Sequence, residues 1–375
     1  GKTWIPRPLT LRSDLELFFE PGVLLLAKRG EFLGGGDSLL SAHGAENLKI
    51  IGYGATLRMW KEDYQKPPYV PAEWRMGIRL MGCKNVLVEG VRVESSGGDG
   101  IYVDGGGPRR WAEDTVIRNV VCDDHHRQGM SVISAQNLLI ENSVFSNTHG
   151  TAPTAGIDFE PDSQDQRMVN CVVRNSVFEN NSGHQVLVYL KPLDHNSEEV
   201  SIRFENCVAR MGKPGMTLDD FTDMDQEGWA GFSVGACNDN GPRGTIEFIN
   251  CTTENTGKEA VKIFDVSANS VDINFRDCTF ANPWVSTFRD YGGPRVPILL
   301  HARRPGLSGR FGGVLFEDCE VYDWANRPAV QFLEDSSDNG LFDVSGQVTV
   351  YSPHGAKKLM GDNLHNVTLK VVNAE

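Results

Sequence analysis

The sequence predicts an all-β fold in which short strands stack as the coils of a solenoid. The first indication is a ten-residue segment that recurs along the chain with alternating apolar and polar residues. The second is composition, because 40 glycines and 18 prolines suit a fold with many turns better than a helical one. The copies cover residues 86–95, 115–124, 138–147, 172–181, 202–211, 246–255, 273–282 and 314–323, with looser copies at 48–59 and 367–373.

Each copy carries a polar residue or glycine at its centre, where we expect a turn between two strands. This position recurs every 23 to 44 residues. Alternating strands joined by polar turns at an irregular period of this size are typical of a β-solenoid. The aligned residues are Gly90, Asn119, Asn142, Asn175, Asn206, Asn250, Asp277 and Asp318.

A second set of strands follows these turns and aligns equally well, at residues 99–105, 128–134, 155–161, 184–190, 230–236, 259–265, 296–302 and 328–334. Their alternation places every second side chain inside the solenoid and the others on one outer face. The outer residues should form two columns along that face. One column is Tyr102, Ser131, Asp158, Leu187, Ser233, Lys262, Leu299 and Gln331, and the other is Asp104, Ile133, Glu160, Tyr189, Gly235, Phe264, His301 and Leu333.

Four of the eight cysteines directly follow the aligned turn residue, namely Cys207, Cys251, Cys278 and Cys319. The repeat therefore predicts that they stack as an inward-facing column, where small apolar side chains are needed. Disulfide pairing is the less favoured alternative, and the cysteines do not decide the cellular compartment.

Charge and hydropathy exclude several classes of partner. A net charge of −14 argues against nucleic acid and against an anionic membrane surface, although local basic residues could still line a groove for an acidic polysaccharide. No run of 18 apolar residues is present, so we expect no membrane span. Residues 1–4 resemble the interior of a domain rather than a leader, so we expect the chain to begin after processing.

The outer face concentrates acidic residues in three consecutive coils. Asp158 and Glu160 are two residues apart on one strand, so both should lie on the outer face with Cα atoms about 7 Å apart. Hydrolysis of a glycosidic bond needs one protonated and one ionised carboxyl group, which crowded carboxylates provide. We therefore predict Asp158 and Glu160 as catalytic residues, with Asp104 from the same face as a third.

Residues around this acidic pair are candidates for holding a sugar. Asp99 and His184 each stand at the start of a strand of the second set, and His126 and Arg127 lie in the turn that leads into the strand at 128–134. Tyr189 and Lys191 come one coil after Asp158 and Glu160. Other interpretations remain open, because Asp-Gly at Asp99 is also a common turn dipeptide. No cofactor or zinc spacing is expected, and calcium is the one ion for which Asp158, Glu160, Asp162 and Asp165 could provide oxygens.

Residues 8–32, the strand copies and the Gly-Gly-Asp-Gly-Ile-Tyr-Val-Asp-Gly segment at 97–105 resemble the right-handed parallel β-helix superfamily. This superfamily contains pectate lyases and polygalacturonase-type glycoside hydrolases. Asp99-Gly100-Ile101 resembles the first acidic strand of the polygalacturonases, whereas the next coil has Arg127-Gln128-Gly129 in place of paired aspartates. The resemblance therefore implies the fold, and of the catalytic residues only Asp99.

Together these observations predict a single-domain right-handed parallel β-helix of about ten coils over residues 1–375. We expect N-terminal coils at 1–60, loop insertions at 61–80 and 212–229, and C-terminal coils at 324–375. The predicted function is a secreted or periplasmic glycoside hydrolase acting on a poly- or oligosaccharide. The alternatives are a polysaccharide lyase or uronate epimerase, and a non-catalytic, tailspike-like glycan-binding protein. The oligomeric state is left open.

Overall fold

A computed structural model describes residues 1–216, 220, 228–285, 295–303, 309–335 and 340–374. These residues fall into two compact units, 1–183 and 184–375. Part of the predicted 212–229 insertion lies outside the described residues.

The first unit is built from short strands. They are β1 (Thr3–Trp4), β2 (Leu9–Leu11), β3 (Leu15–Phe18), β4 (Leu24–Leu26), β5 (Leu40–His43), β6 (Glu46–Ile51), β7 (Thr56–Arg58), β8 (Ile78–Met81), β9 (Lys84–Glu89), β10 (Arg92–Glu94), β11 (Ile101–Asp104), β12 (Ala112–Arg118), β13 (Val121–Asp123), β14 (Met130–Val132), β15 (Ala135–Glu141), β16 (Val144–Ser146), β17 (Ile157–Phe159), β18 (Met168–Arg174) and β19 (Val177–Glu179). A short 3-10 helix, Asp63–Gln65, lies between β7 and β8.

The described part of the second unit continues the same pattern. Its strands are β20 (Val186–Tyr189), β21 (Val200–Glu205), β22 (Val208–Arg210), β23 (Phe232–Cys237), β24 (Gly244–Ile249), β25 (Thr252–Glu254), β26 (Val261–Val266), β27 (Asp272–Arg276), β28 (Thr279–Ala281), β29 (Ile298–Ala302), β30 (Arg310–Tyr322), β31 (Val330–Glu334), β32 (Gly340–Tyr351), β33 (Leu364–Val367) and β34 (Lys370–Asn373). Among the described residues, no helix has the length and apolar character needed to cross a membrane.

Within each unit, a regular coil contains three strands, which pair in parallel with their equivalents in the next coil of that unit. Thus β11, β12 and β13 pair with β14, β15 and β16. The first of the two residues between the second and third strands has a left-handed backbone, for example Asn119 with φ of 54° and Asn142 with φ of 51°. The predicted turn positions are therefore confirmed. Asn and Gly suit them because these residues adopt positive φ at low cost.

Alternation along the short first strand of each coil separates core from surface. Ile101, Val103, Ile157 and Phe159 have no exposed surface and form the interior. In the first unit the register places Ser41, Arg79, Tyr102, Ser131 and Asp158 in one outer column. In the second unit the equivalent column is Leu187, Ser233, Lys262, Leu299 and Gln331. The predicted order of these side chains is confirmed within each unit.

Candidate active site

Two glycines let neighbouring coils approach closely at the edge of the acidic face. A Cβ atom on Gly100 would lie 2.4 Å from Nε2 of His125 and 2.5 Å from the Gly129 carbonyl oxygen. A Cβ atom on Gly129 would lie 2.4 Å from the carbonyl oxygen of Gly156. Because real Cβ atoms do not come this close to other atoms, positions 100 and 129 require glycine. The side chains next to these two glycines are consequently held in tight register between neighbouring coils.

Asp158 and Glu160 form an interacting carboxyl pair at the β17 end of this face. Asp158 has no exposed surface, whereas the Glu160 side chain is 28% exposed. Burial raises the pKa of Asp158 well above its usual range, and the Glu160 carboxylate raises it further as a neighbouring charge and as a hydrogen-bond acceptor. The surroundings of Asp158 therefore favour its protonated form.

Arg127 connects this pair to a third carboxyl group. Its Nη2 donates a hydrogen bond to Oε2 of Glu160 at 3.0 Å, and Nη1 lies 3.7 Å from Oδ2 of Asp99. Burial opposes the charge of the guanidinium, but the Asp99 and Glu160 carboxyl groups outweigh this effect and raise its pKa. Arg127 is therefore a fixed cation between two predicted site residues.

Asp99 lies beneath Arg127 without contact to solvent. Burial raises the pKa of Asp99 to about 7, although Arg127 and the neighbouring Ser131 act to lower it. Neither Asp99 oxygen accepts a hydrogen bond from the residues that the structure describes. A buried carboxyl group with so little hydrogen bonding gains or loses its proton near neutral pH.

Gln128 is a member of the site to which the sequence analysis gave no role. Its Nε2 donates to Oδ2 of Asp158 at 2.9 Å, and its Oε1 accepts from the Ala155 N–H at 2.7 Å. These two bonds fix the amide and orient the Asp158 carboxyl group. The available signal was its position in the repeat, one coil after Asp99 and one coil before Ala155.

Asp104 lies on the same strand as Tyr102 but has partners of its own. Its oxygens accept hydrogen bonds from Tyr102, from the Gly105 N–H and from Gln166. Burial raises the pKa of Asp104 to about 6, and Asp162 raises it further, whereas the backbone N–H of Gly105 is the strongest lowering influence. These contacts hold the end of β11 in place, so the structure gives Asp104 a setting different from that of the Asp158 pair.

His126 belongs to the turn before β14 rather than to the acidic face. Its Nε2 lies 3.0 Å from Oγ1 of Thr151, and burial lowers its pKa. The adjacent His125 points inwards, with Nδ1 2.8 Å from Oγ of Ser96. Of the two predicted residues in this turn, Arg127 is the one that contacts the predicted carboxylates.

Three predicted sugar-binding residues, His184, Tyr189 and Lys191, lie in the second unit. His184 is buried, and its Nδ1 lies 2.8 Å from Oγ of Ser233. The Tyr189 ring stacks on Phe264 with a centroid separation of 6.3 Å, and Lys191 is exposed.

The acidic residues considered for calcium have other contacts. Asp165 pairs with Arg110 and accepts a hydrogen bond from Ser163, while Asp158 is buried against Gln128. Within the described ranges, no three His, Cys, Asp or Glu side chains converge to hold a metal ion. The role of calcium stays a prediction.

Comparison with known proteins agrees with this architecture. A family model described as a right-handed β-helix region matches residues 72–207. The uncharacterized protein YclG of Bacillus subtilis is 29% identical over 126 residues, which are 30% of this chain and 22% of YclG. The chain therefore spans well under two thirds of that relative.

Two solved structures resemble nearly the whole chain. A family 28 exopolygalacturonase of Yersinia enterocolitica has a TM-score of 0.56 at 14% identity, covering 98% of this chain and 71% of its own. The A-module of the mannuronan C-5 epimerase AlgE6 from Azotobacter vinelandii has a TM-score of 0.53 at 14% identity, covering 100% of this chain and 91% of its own. At this identity the likeness concerns the fold. The chain is a right-handed parallel β-helix protein, as the sequence predicts, and it shares this fold with carbohydrate-active enzymes.

Proposed function

We propose that this protein is a glycoside hydrolase that cleaves a poly- or oligosaccharide at the Asp158–Glu160 pair. The observation that carries the proposal is the raised pKa of buried Asp158 beside Glu160, which accepts a hydrogen bond from Arg127. Glycosidic cleavage requires such a pair, in which an acid protonates the leaving oxygen and a carboxylate acts as base or nucleophile. In our proposal Asp158 is the acid and Glu160 is the base or nucleophile.

The contacts of Asp158 indicate how its proton is delivered. Its Oδ2 accepts the Gln128 bond, and its buried Oδ1 has no hydrogen-bond donor among the described residues. The proton therefore resides on Oδ1. Because Asp158 has no exposed surface, a bound sugar must displace the Glu160 or Arg127 side chain to meet that proton. We propose that Arg127 turns from Glu160 towards the substrate during binding, while Asp99 tunes the charge of the site.

The fold supports carbohydrate chemistry without choosing the reaction. An exopolygalacturonase and a mannuronan C-5 epimerase share it, so a polysaccharide lyase or uronate epimerase is the second candidate. The observation that favours it is Arg127, a fixed cation able to neutralise a uronate carboxylate while Glu160 accepts the α-proton. Ultraviolet absorbance of an unsaturated uronate product would identify elimination. A large glycan is met outside the cytoplasm, so we propose a secreted or periplasmic location.

The decisive experiment measures the release of reducing ends from a panel of glycans. It compares the parent protein with the Glu160→Gln and Asp158→Asn variants. Each substitution should reduce hydrolysis by about 100-fold or more, because general acid–base groups contribute at least this much. Glu62→Gln, which alters an exposed carboxylate of the same unit, is the matched control and should keep parental activity. Circular dichroism checks folding.

Parental activity in both site variants would disprove the assignment. Binding of a glycan without any turnover in the parent would instead identify a glycan-binding module.

A further inference from the structure

The second unit has its own cluster of basic side chains on the face that carries the outer column. Lys262 follows Ser233 in that column, one coil further on. Three basic groups, Lys262, Lys258 and His301, surround the buried carboxyl group of Glu259 and act to lower its pKa, against the burial that raises it. Lys262 and Lys258 thus bring two amine side chains towards one buried carboxyl group, in a chain whose net charge is −14.

A tryptophan adjoins these amines. Trp229 is 39% exposed, and Nζ of Lys258 lies 4.9 Å from the centroid of its ring. The Lys258 N–H also donates to the Trp229 carbonyl oxygen at 3.2 Å, which fixes this segment on its coil. Indole rings that are partly exposed stack on the apolar faces of sugars, while amines beside them bind charged substituents.

His184 completes the cluster with a neutral hydrogen-bonding group. Its ring packs edge-on against Trp229 with centroids 5.0 Å apart, and its Nδ1 is 2.8 Å from Oγ of Ser233. Burial lowers the pKa of His184 to about 3, and Lys262 and Lys258 lower it further. The imidazole is therefore uncharged, and it fixes the indole ring without adding to the repulsion between the two amines.

Other charged residues of this face already have partners. Arg303 forms two hydrogen bonds to Oδ2 of Asp265, at 2.9 and 3.1 Å, and lies over the Phe264 ring. His301 pairs with Asp335 at 3.1 Å. By contrast, Lys262 forms no ion pair with any carboxylate among the described residues, so its charge is available to a ligand.

We propose that the second unit carries a binding site for the anionic substituent of a saccharide, formed by Lys262 and Lys258 beside Trp229. The ligand chemistry is an oxyanion, whether carboxylate, sulfate or phosphate, attached to a sugar ring that stacks on the indole. The proposal goes beyond hydrolysis at the first unit, because it concerns binding of an anionic substituent and uses none of the residues to which the proposed hydrolysis gives a role.

Affinity electrophoresis in gels containing dextran sulfate, polygalacturonate or unmodified dextran tests this site at physiological salt. All proteins carry Glu160→Gln, so that turnover does not alter the polymer. The reference protein should be retarded by one or both charged polymers and not by dextran, and the two charged gels distinguish sulfate from carboxylate. Lys262→Gln should weaken this binding by about tenfold or more, the effect of losing one charge-assisted hydrogen bond. Trp229→Ala should weaken it as well.

Lys357→Gln, at an exposed lysine elsewhere in the same unit, is the matched control and should bind like the reference. Equal retardation of the Lys262→Gln and Lys357→Gln proteins would overturn the proposal, as would equal binding of dextran and the charged polymers. Because binding is measured without turnover, this outcome is independent of whether the first unit hydrolyses glycans.

Discussion

At the scale of single residues, the site depends on different degrees of burial among similar carboxyl groups. Asp99 and Asp158 are buried and have raised pKa values, whereas Glu160 reaches solvent and pairs with Arg127. In our proposal this difference makes Asp158 the acid and Glu160 the base or nucleophile. Environment rather than residue type assigns the roles.

The raised pKa of Asp99 should make the stability of the protein depend on pH. Its pKa is about 7 in the folded protein against 3.8 when exposed, so between these values the folded state binds more protons than the unfolded state. Stability should therefore fall as pH rises from about 4 to about 7, by about 1.4 kcal/mol for each unit of pKa shift. Asp99→Asn removes this contribution. Urea unfolding at pH 5 and pH 8 should show a smaller loss of stability in Asp99→Asn than in the parent.

The exposed Asp362→Asn substitution is the control and should keep the parental difference between the two pH values. If Asp99→Asn shows the same pH dependence as the parent, Asp99 does not hold a proton in the folded state near neutral pH.

The sequence predicted this site in part. Alternation along β17 is enough to place Asp158 and Glu160 on one face, and register adds Ser131 beside Asp158. The sequence could not predict how deeply the carboxyl groups of the site are buried. Their burial depends on Arg127, which folds back over the strand from a turn in the preceding coil. For the same reason the sequence predicted Asp104 as a third catalytic residue without showing that Tyr102 and Gln166 donate hydrogen bonds to its oxygens.

At the scale of elements, the turn between the second and third strands of a coil depends on a residue with a left-handed backbone. Asn142 has φ of 51°, and its Oδ1 accepts a hydrogen bond from Nδ2 of Asn175 in the next coil at 3.3 Å. Asparagine therefore serves the turn twice, through its tolerance of positive φ and through a side-chain ladder between coils. This is why the polar turn position was the most reliable signal in the repeat.

Substitution of Asn142 separates these two contributions. Asn142→Ala and Asn142→Gly both remove the side-chain bond, but only alanine is strained at positive φ. We expect Asn142→Ala to be less stable than Asn142→Gly by about 1 kcal/mol in chemical denaturation. Ser201 lies exposed within β21, where glycine should instead be the less stable replacement. The same order of alanine and glycine at both positions would contradict the role of the turn.

At the scale of the whole molecule, the interior is filled by columns of like side chains. In the second unit Phe248 stacks between Phe204 and Phe275, with centroids 4.8 and 4.7 Å away. Cys207, Cys251, Cys278 and Cys319 are all buried, and the Cys251 thiol donates a hydrogen bond to the Phe204 carbonyl oxygen of the neighbouring coil at 3.5 Å. Repetition of coils produces such columns directly, because the same slot has the same volume in each coil. The predicted inward cysteine column is confirmed.

All eight cysteines are buried as free thiols, which predicts how the protein reacts with a thiol reagent. The packed interior around these thiols excludes reagents and solvent oxidants. A thiol reagent should therefore label the folded protein very slowly and detect eight thiols per chain after unfolding in denaturant without reductant. A reductant added before unfolding should leave that number unchanged. Six or fewer thiols without reductant, rising to eight with it, would instead establish a disulfide, and the columns would then be cross-links between coils rather than core packing.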